Sequence, residues 1–548
     1  MATMNNIFLR RSAAFAVIAS CIMAFPGCVK SKVEAVETYP PGPKALVKFL
    51  DGQPSPAIGG EGSVVTFNVS GLKDRNPGEF TFLINQTPAE VLETGETTVK
   101  VRIPANASTG GSAILIDGEY YFGPSFTIRG KVTIDPSFNP DTYRSNGPIY
   151  GIVSAPGGAV LYGSFSNYAN RATETVPVTN LVMIDANGAY QTSQFNLGKN
   201  GLNGPVYSVV RLSDGKYIVG GSFSRVDTIS NINGIARFNA DGTLDVSVVD
   251  VINPDPVGDP EGDKALVSTF NGGVSGAGNV VKMFFNGSYG LTTVGNFTNY
   301  VSTFYERSTK DGPFLDIMQT RQLIRTTVEG VFDSTFNFKL PTKESYAGGN
   351  GYILDAYQMN DGSTVLVGNF STFHGKTVNY ITRIDPETGL VDESFNPGGS
   401  GADAAINKIT YNATTRKFLI CGLFKSYNGV PVNGVAMLNE DGSLDQSFTF
   451  RQTDGGLVNY AGQINDGRII VSGTFNSYDN IVRPGIIILN ADGTMAFNCN
   501  TMGLFRGEIN GLIQSVSPTG VPQVTIVGAF DRFDGRSVGN IVKFRIEN

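Results

Sequence analysis

The side chains able to do chemistry in this sequence are few, and their spacing narrows what they could do. One histidine, His374, stands among 548 residues. A His-rich zinc site, a Ser-His-Asp triad or a Cys-His pair would have a single imidazole to draw on. Of four cysteines, Cys421 lies in the apolar string Phe418-Leu419-Ile420-Cys421-Gly422, the setting of an inert buried thiol. Acids are plentiful. Asp255, Asp259, Glu261 and Asp263 crowd a short Pro/Gly-rich stretch, a density that suits a hard cation. Their spacing does not match an EF-hand loop, so the stretch reads first as a solvated acidic loop. A glycosidase needs two carboxylates about 5 to 9 Å apart across a cleft, and no pair is singled out. Nothing in these motifs asks for a cofactor or a resident metal.

Aromatic side chains are the better candidates for ligand contact. Tyr300, Phe304, Tyr305 and Tyr346, with Phe314 and Tyr352 nearby, are concentrated in one part of the chain. Exposed rings of this kind stack on sugars or grip a peptide. Tryptophan, the usual sugar-stacking side chain, is absent. Lys+Arg 41 against Asp+Glu 48, a net charge of -7, gives no basic field for nucleic acid or an anionic membrane surface. Gly 67, Phe 36 and Tyr 21 favour many short strands joined by tight turns, and argue against helical bundles.

Arg10 and Arg11 precede an apolar run at 13–25, the length of a signal-peptide core and short of the roughly 20 residues that span a bilayer. The run ends at Phe25-Pro26-Gly27-Cys28, which resembles a bacterial lipobox and implies a lipid on Cys28. Ile18-Ala19-Ser20-Cys21 fits that pattern by sequence but leaves a shorter core. The expected organisation is a signal peptide at 1–27, a polar, Pro-containing tether at 28–44, a small β-sandwich at 45–129 and a repeat domain at 130–548.

The small domain rests on period-two alternation in Val64-Val65-Thr66-Phe67-Asn68-Val69, Thr98-Val99-Lys100-Val101-Arg102-Ile103 and Ala113-Ile114-Leu115-Ile116. With Gly59-Gly60-Glu61-Gly62 ahead and Phe126-Thr127-Ile128 closing, the segment resembles the immunoglobulin-like TIG domain, often a spacer in surface proteins.

From there the chain repeats. A Gly-x-Phe step recurs at Gly163-Ser164-Phe165, Gly221-Ser222-Phe223, Gly295-Asn296-Phe297, Gly368-Asn369-Phe370, Gly422-Leu423-Phe424, Gly473-Thr474-Phe475 and Gly528-Ala529-Phe530. Three residues after each Phe stand Tyr168, Val226, Tyr300, Phe373, Tyr427, Tyr478 and Phe533, a recurrence expected of internal contacts. Strands and Asp-Gly turns around each step predict two hairpins per repeat, and seven such units solve their edge problem as a seven-bladed β-propeller. The last copy ends one strand short at Ile546. Ile134-Asp135-Pro136-Ser137-Phe138-Asn139-Pro140 carries the missing signature and is expected to close the ring. Two consecutive spacings, 74 and 73 residues against 51 to 58 elsewhere, carry insertions that should lie side by side and mark the working face.

The string Asp214-Gly215-Lys216-Tyr217-Ile218-Val219-Gly220-Gly221-Ser222-Phe223, continued by Ile235-Ala236-Arg237-Phe238-Asn239-Ala240-Asp241-Gly242, resembles the delta-sixty propeller repeat of bacterial secreted proteins. That family has no established catalytic motif. With a lipoprotein signal and a TIG domain, the chain looks like accessory outer-membrane lipoproteins found beside starch-utilisation-like importers. The resemblance implies a lipid-anchored, non-catalytic surface protein that captures a nutrient, a glycan or a peptide, with importer subunits as partners. A rigid docking platform or adhesin, and a hydrolase, are the alternatives.

Cys28→Ala should release the protein from the membrane fraction or block its processing, because one lipidated cysteine would carry all attachment. Lipid-labelled, membrane-bound protein in that variant would move the anchor to Cys21 or remove it.

Overall fold

The computed structural model describes residues 47–547 apart from 74, 192–194, 196 and 277. The candidate anchors Cys28 and Cys21 and the tether at 28–44 lie outside the described residues. Among the described residues the fold is all-β, with two single-turn 3-10 helices, Pro77–Glu79 and Tyr305–Arg307.

At the N-terminal end eight strands form one hydrogen-bonded path. It runs Lys48–Phe49, Val64–Ser70, Thr98–Arg102, Thr87–Thr94, Thr81–Ile84, Gly110–Ile116, Glu119–Ile128 and Ile58–Gly59. The alternating apolar residues Val65, Phe67, Val99, Val101, Ile114 and Phe126 are all buried in one cluster. Phe67 touches Phe82 at 4.8 Å and Phe126 at 5.7 Å between ring centroids, so the two halves of the sheet close over a shared core.

Beyond Ile128 the repeats become seven antiparallel sheets. Their strands are Ile149–Ala155, Gly158–Gly163 and Leu181–Asp185; Val206–Arg211, Tyr217–Gly221 and Ile235–Phe238; Val280–Asn286, Gly290–Gly295 and Leu323–Thr326; Ile353–Gln358, Thr364–Gly368 and Ile381–Ile384; Ile406–Asn412, Lys417–Gly422 and Val435–Leu438; Val458–Gln463, Ile469–Gly473 and Ile486–Leu489; and Arg506–Val516, Pro522–Phe533 and Ile541–Ile546. Each first strand is bulged near its start, between Ile149 and Gly151 in the first sheet and at the matching place in the others. A bulge bends and twists a strand locally, and here it does so at one point of every repeat. First strands lie beside their successors, and Ile149–Ala155 also lies beside Arg506–Val516.

The fourth strand expected of each repeat is only a single bridge in six sheets, for example Ile384 with Val391 and Leu438 with Leu444. In three of them the cause is local: the Asp of an Asp-x-Ser/Thr-Phe string turns the chain by accepting, on Oδ1, the N–H and hydroxyl two residues on, as Asp333 does from Thr335, Asp392 from Ser394 and Asp445 from Ser447. Its Oδ2 is held by a cation from a neighbouring strand: Arg325 for Asp333, Arg383 for Asp392 and Lys417 for Asp445, all at 2.6 to 2.7 Å; Arg237 holds the equivalent Asp245 at 2.7 Å, where the string lacks the Phe. The following Phe336, Phe395 and Phe448 are buried. Phe395 lies where a Cβ on Gly442 would stand, 2.6 Å from its ring, which explains a glycine in that turn beyond its positive φ.

The seventh sheet takes its last strand from the other end of the repeats. Val132–Ile134 pairs antiparallel with Ile541–Ile546, with Ile134 opposite Phe544. The closing strand therefore precedes Ser137-Phe138-Asn139, the residues expected to form it. Ser137 instead completes the Asp135 turn, and Phe138 is buried in the cluster shared with the first sheet. Asp135 is inaccessible to solvent and meets Arg545 Nε at 2.7 Å. Its carboxylate also accepts from Ser137 and from Gln523 Nε2.

Burial opposes ionisation of Asp135, but the Ser137, Arg545 and Gln523 donors outweigh it and take its pKa from 3.8 down to about 2. A folded pKa below the unfolded one adds stability that is complete above about pH 4 and lost as pH falls toward 2. Asp135→Asn should therefore cost about 2 kcal/mol at pH 7, with the gap from the parent shrinking between pH 4 and 2. Denaturant titrations at pH 7, 4 and 2.5 check this; a gap independent of pH would contradict it.

Candidate functional site

The seven bulged strands present one equivalent position each, the first paired residue after the bulge: Gly151, Ser208, Lys282, Asp355, Lys408, Tyr460 and Gly511. Three consecutive members are charged. Asp355 is buried, with Lys282 Nζ 3.5 Å from Oδ1 and Lys408 Nζ 3.5 Å from Oδ2. Its Oδ2 also accepts the Ile409 N–H at 3.2 Å. These groups line a cavity of about 420 Å³ with Tyr162, Tyr357, Tyr411, Tyr460 and Gln463.

The electrostatics follow from burial and pairing. Desolvation works against the Asp355 carboxylate, but Lys408, Lys282 and the N–H groups of Ile409 and Ala356 more than offset it and hold its pKa below the usual range. Asp355 stays ionised at neutral pH, and the triad carries a net charge of +1. Burial raises the Tyr162 hydroxyl to about 12 and the Cys421 thiol to about 12. Both remain protonated, so Cys421 is an inert buried thiol.

The two lysines of this cavity differ from the cations that hold the turns. Turn pairs sit at 2.6 to 2.7 Å, the range of charge-assisted hydrogen bonds. Contacts of 3.5 Å leave ammonium donors unspent, since each Lys has three. The triad escapes sequence reading because its members are separated by tens of residues. The available signal was a charged third residue in three successive strands: Val280-Val281-Lys282, Ile353-Leu354-Asp355 and Ile406-Asn407-Lys408.

The aromatic candidates are dispersed. The two insertions do meet, in a six-stranded sheet ordered Ile232–Asn233, Gly272–Ser275, Asn299–Thr303, Leu315–Gln319, Glu344–Ser345 and Phe338–Lys339. Tyr300, expected to contact ligand, is instead 3 % exposed, and its hydroxyl donates to the Gly330 carbonyl. Tyr168, Tyr427 and Tyr478 donate in the same way to Gly188, Gly442 and Gly493 at 2.6 to 2.7 Å. Tyr300 is thus the third repeat's copy of an internal brace and is removed from the candidate site.

Phe304 and Phe314 are exposed, with the Arg307 guanidinium 5.4 and 5.8 Å from their ring centroids. Tyr305 is half-buried and its hydroxyl accepts from Asn271 Nδ2 at 3.1 Å. Tyr346 is half-buried, with Lys339 Nζ 5.0 Å above its ring and His374 at 5.9 Å. Burial, with the Lys376 charge adding to it, lowers the His374 pKa to about 4. Among the described residues no three acidic, His or Cys side chains gather to hold a metal; in the acidic stretch Asp255 caps the Gly258 N–H and Asp259 reaches Lys310 at 3.4 Å.

A second cavity, about 780 Å³, follows the seam between the seventh and first sheets. Its Arg545 is paired with Asp135, and Lys543 Nζ donates to the Ala186 carbonyl at 3.0 Å. Its cations are already engaged in closure.

Comparison with known proteins agrees on the repeats. A β-propeller family described as a domain of unknown function, DUF5122, matches residues 212–247, 360–395, 416–448 and 464–495. These matches fall on four repeats and make the repeated part β-propeller in kind. No protein of curated function matches the sequence. Similar solved structures include an auxiliary nutrient binding protein from Bacteroides thetaiotaomicron, 10% identical over 91% of this chain and 97% of that one, TM-score 0.27. Another, from Bacteroides ovatus, is 11% identical over 91% and 97%, TM-score 0.24. A puromycin hydrolase is 12% identical over 87% and 59%, TM-score 0.32. Overlaps this slight carry no function to this chain.

Because Tyr300 braces a turn, Tyr300→Ala should cost about 3 to 4 kcal/mol, as large-to-small changes in a core do. Phe304→Ala should stay within about 1 kcal/mol. Equal small effects in denaturant titration would return Tyr300 to the surface.

Proposed function

We propose that the protein is a non-catalytic binding module whose ligand enters the central channel of a closed, seven-bladed propeller. In this reading the N-terminal sheet is an immunoglobulin-like spacer and a lipid on Cys28 tethers the chain to the bacterial outer membrane, facing outward, beside a nutrient importer. The observation that carries it is the Lys282–Asp355–Lys408 triad. Two ammonium groups stand 3.5 Å from one buried carboxylate with donors to spare, beside a cavity of about 420 Å³.

Such a site suits an oxygen-rich ligand, and a glycan supplies the hydroxyls. The net positive charge favours one that also bears an acid group. Binding rather than turnover is supported by the state of the acids: Asp355 is the one carboxylate lining the cavity, and it is held ionised. A two-carboxylate hydrolysis needs a second acid and, in one of the pair, a raised pKa. The names of the nutrient binding proteins from Bacteroides are compatible with this reading but add no weight to it. A docking platform is the second reading, favoured by the exposed Val248, Leu266 and Ile317 on the inserted strands.

Glycan-array binding with neutral and uronic-acid-containing oligosaccharides tests the proposal. Lys282→Met, Lys408→Met and Asp355→Asn combined remove the charges without stranding one. That variant should lose at least tenfold in affinity, about 1.4 kcal/mol, while Phe304→Ala with Tyr305→Ala and Tyr346→Ala keeps it. The opposite result would move the site to the inserted loops. No glycan binding by the parent protein would promote the platform.

A further inference from the structure

The N-terminal strands meet the repeats at a polar seam. Thr109 N–H donates to the Thr501 carbonyl and Lys131 N–H to the Asn498 carbonyl, each at 2.8 Å. Between these bonds lies a cavity of about 120 Å³, the room of about four waters, lined by Glu61, Asn106, Arg483, Asn498 and Thr501 among others.

Arg483 is the unusual member. It is 3 % exposed, and among the described residues no carboxylate pairs with it. Nη1 donates to the Asn106 carbonyl at 2.9 Å and to the Val482 carbonyl at 2.5 Å. Nε is buried with no acceptor, and no bond from Nη2 to a described residue accompanies it. A guanidinium has five N–H donors in a rigid fork. Here neither Nε nor Nη2 has an acceptor among the described residues, and together they form the edge that takes a carboxylate or phosphate bidentately. Burial without a counter-ion lowers the Arg483 pKa to about 10, and an uncompensated buried charge is costly. The one other Arg buried below one-tenth exposure among the described residues, Arg325, is paired with Asp333.

We propose that this junction binds a small oxyanion, a carboxylate or a phosphate, on the Nε/Nη2 edge of Arg483. The same guanidinium holds the Asn106 carbonyl through Nη1, so an anion that neutralises its buried charge strengthens the seam between the N-terminal strands and the repeats.

The test is thermal unfolding of the full chain in sodium chloride, acetate or phosphate at matched ionic strength, with calorimetric titration of each anion. Acetate or phosphate should raise Tm by several degrees with saturation, and chloride should not. Saturation by acetate alone, or by phosphate alone, assigns the class. Arg483→Met should abolish the saturable rise. Arg483→Lys, which keeps charge but not the fork, should weaken it at least tenfold and serves if the Met variant does not fold. Glu61→Gln removes the one carboxylate lining the cavity and should tighten anion binding with Tm in chloride unchanged. A fall in Tm without tighter binding would make Glu61 the counter-ion and overturn the proposal. So would the absence of a saturable rise in the parent protein, or an equal rise in the Arg483 variants.

Discussion

The structure depends on one carboxylate shared between distant parts of the chain. Asp135 and Arg545 are 410 residues apart and meet at 2.7 Å. Around that contact the Val132–Ile134 strand pairs with Ile541–Ile546. Without it the seventh sheet would end in an unpaired edge, the liability that closed arrays of sheets remove. The same contact brings Arg506–Val516 beside Ile149–Ala155, so that the first strands continue round from the seventh sheet to the first. The channel triad exists because equivalent positions on neighbouring first strands are brought to one place.

Charge is used in two ways within one repeat. At the turns after the third strands an Arg or Lys is drawn onto an Asp, and at Asp333, Asp392 and Asp445 that Asp already caps its own turn, which fixes its carboxylate for a tight pair. At the cavity Lys282 and Lys408 share Asp355 at longer range. A compact ammonium on a flexible stem keeps donors that a forked guanidinium locked onto its carboxylate does not. The acid therefore keeps both cations pointing into the cavity and stays ionised, a positioning role that suits recognition.

Much of the fold was legible because it rests on local chemistry that recurs. Gly-x-Phe marked strands whose phenylalanines, Phe165 to Phe530, are all buried. Asp-Gly marked turns where glycine takes positive φ, as at Gly215, Gly362 and Gly467. The Ser-Phe-Asn-Pro signature identified the right segment for closure but not the paired residues, because Asp135 ends the strand and turns the chain before Ser137. Tyr300 was misread since the inserted aromatics around it hide its place in the repeat; its partner Gly330 lies 30 residues on, where Tyr427 and Tyr478 find theirs at 15. The channel triad and Arg483 are tertiary facts. Each is an ordinary charged residue in its local string, and only the meeting of separate strands removes its solvent.

The account's central claim is that the repeats form one closed, cooperative unit, and native-state hydrogen exchange tests it most directly. Amides of Val132–Ile134 and Ile541–Ile546 should exchange with the same opening free energy as the first strands of the middle sheets, since opening the seam would open the ring. Rapid exchange confined to those two strands, with the other six sheets still protected, would contradict it.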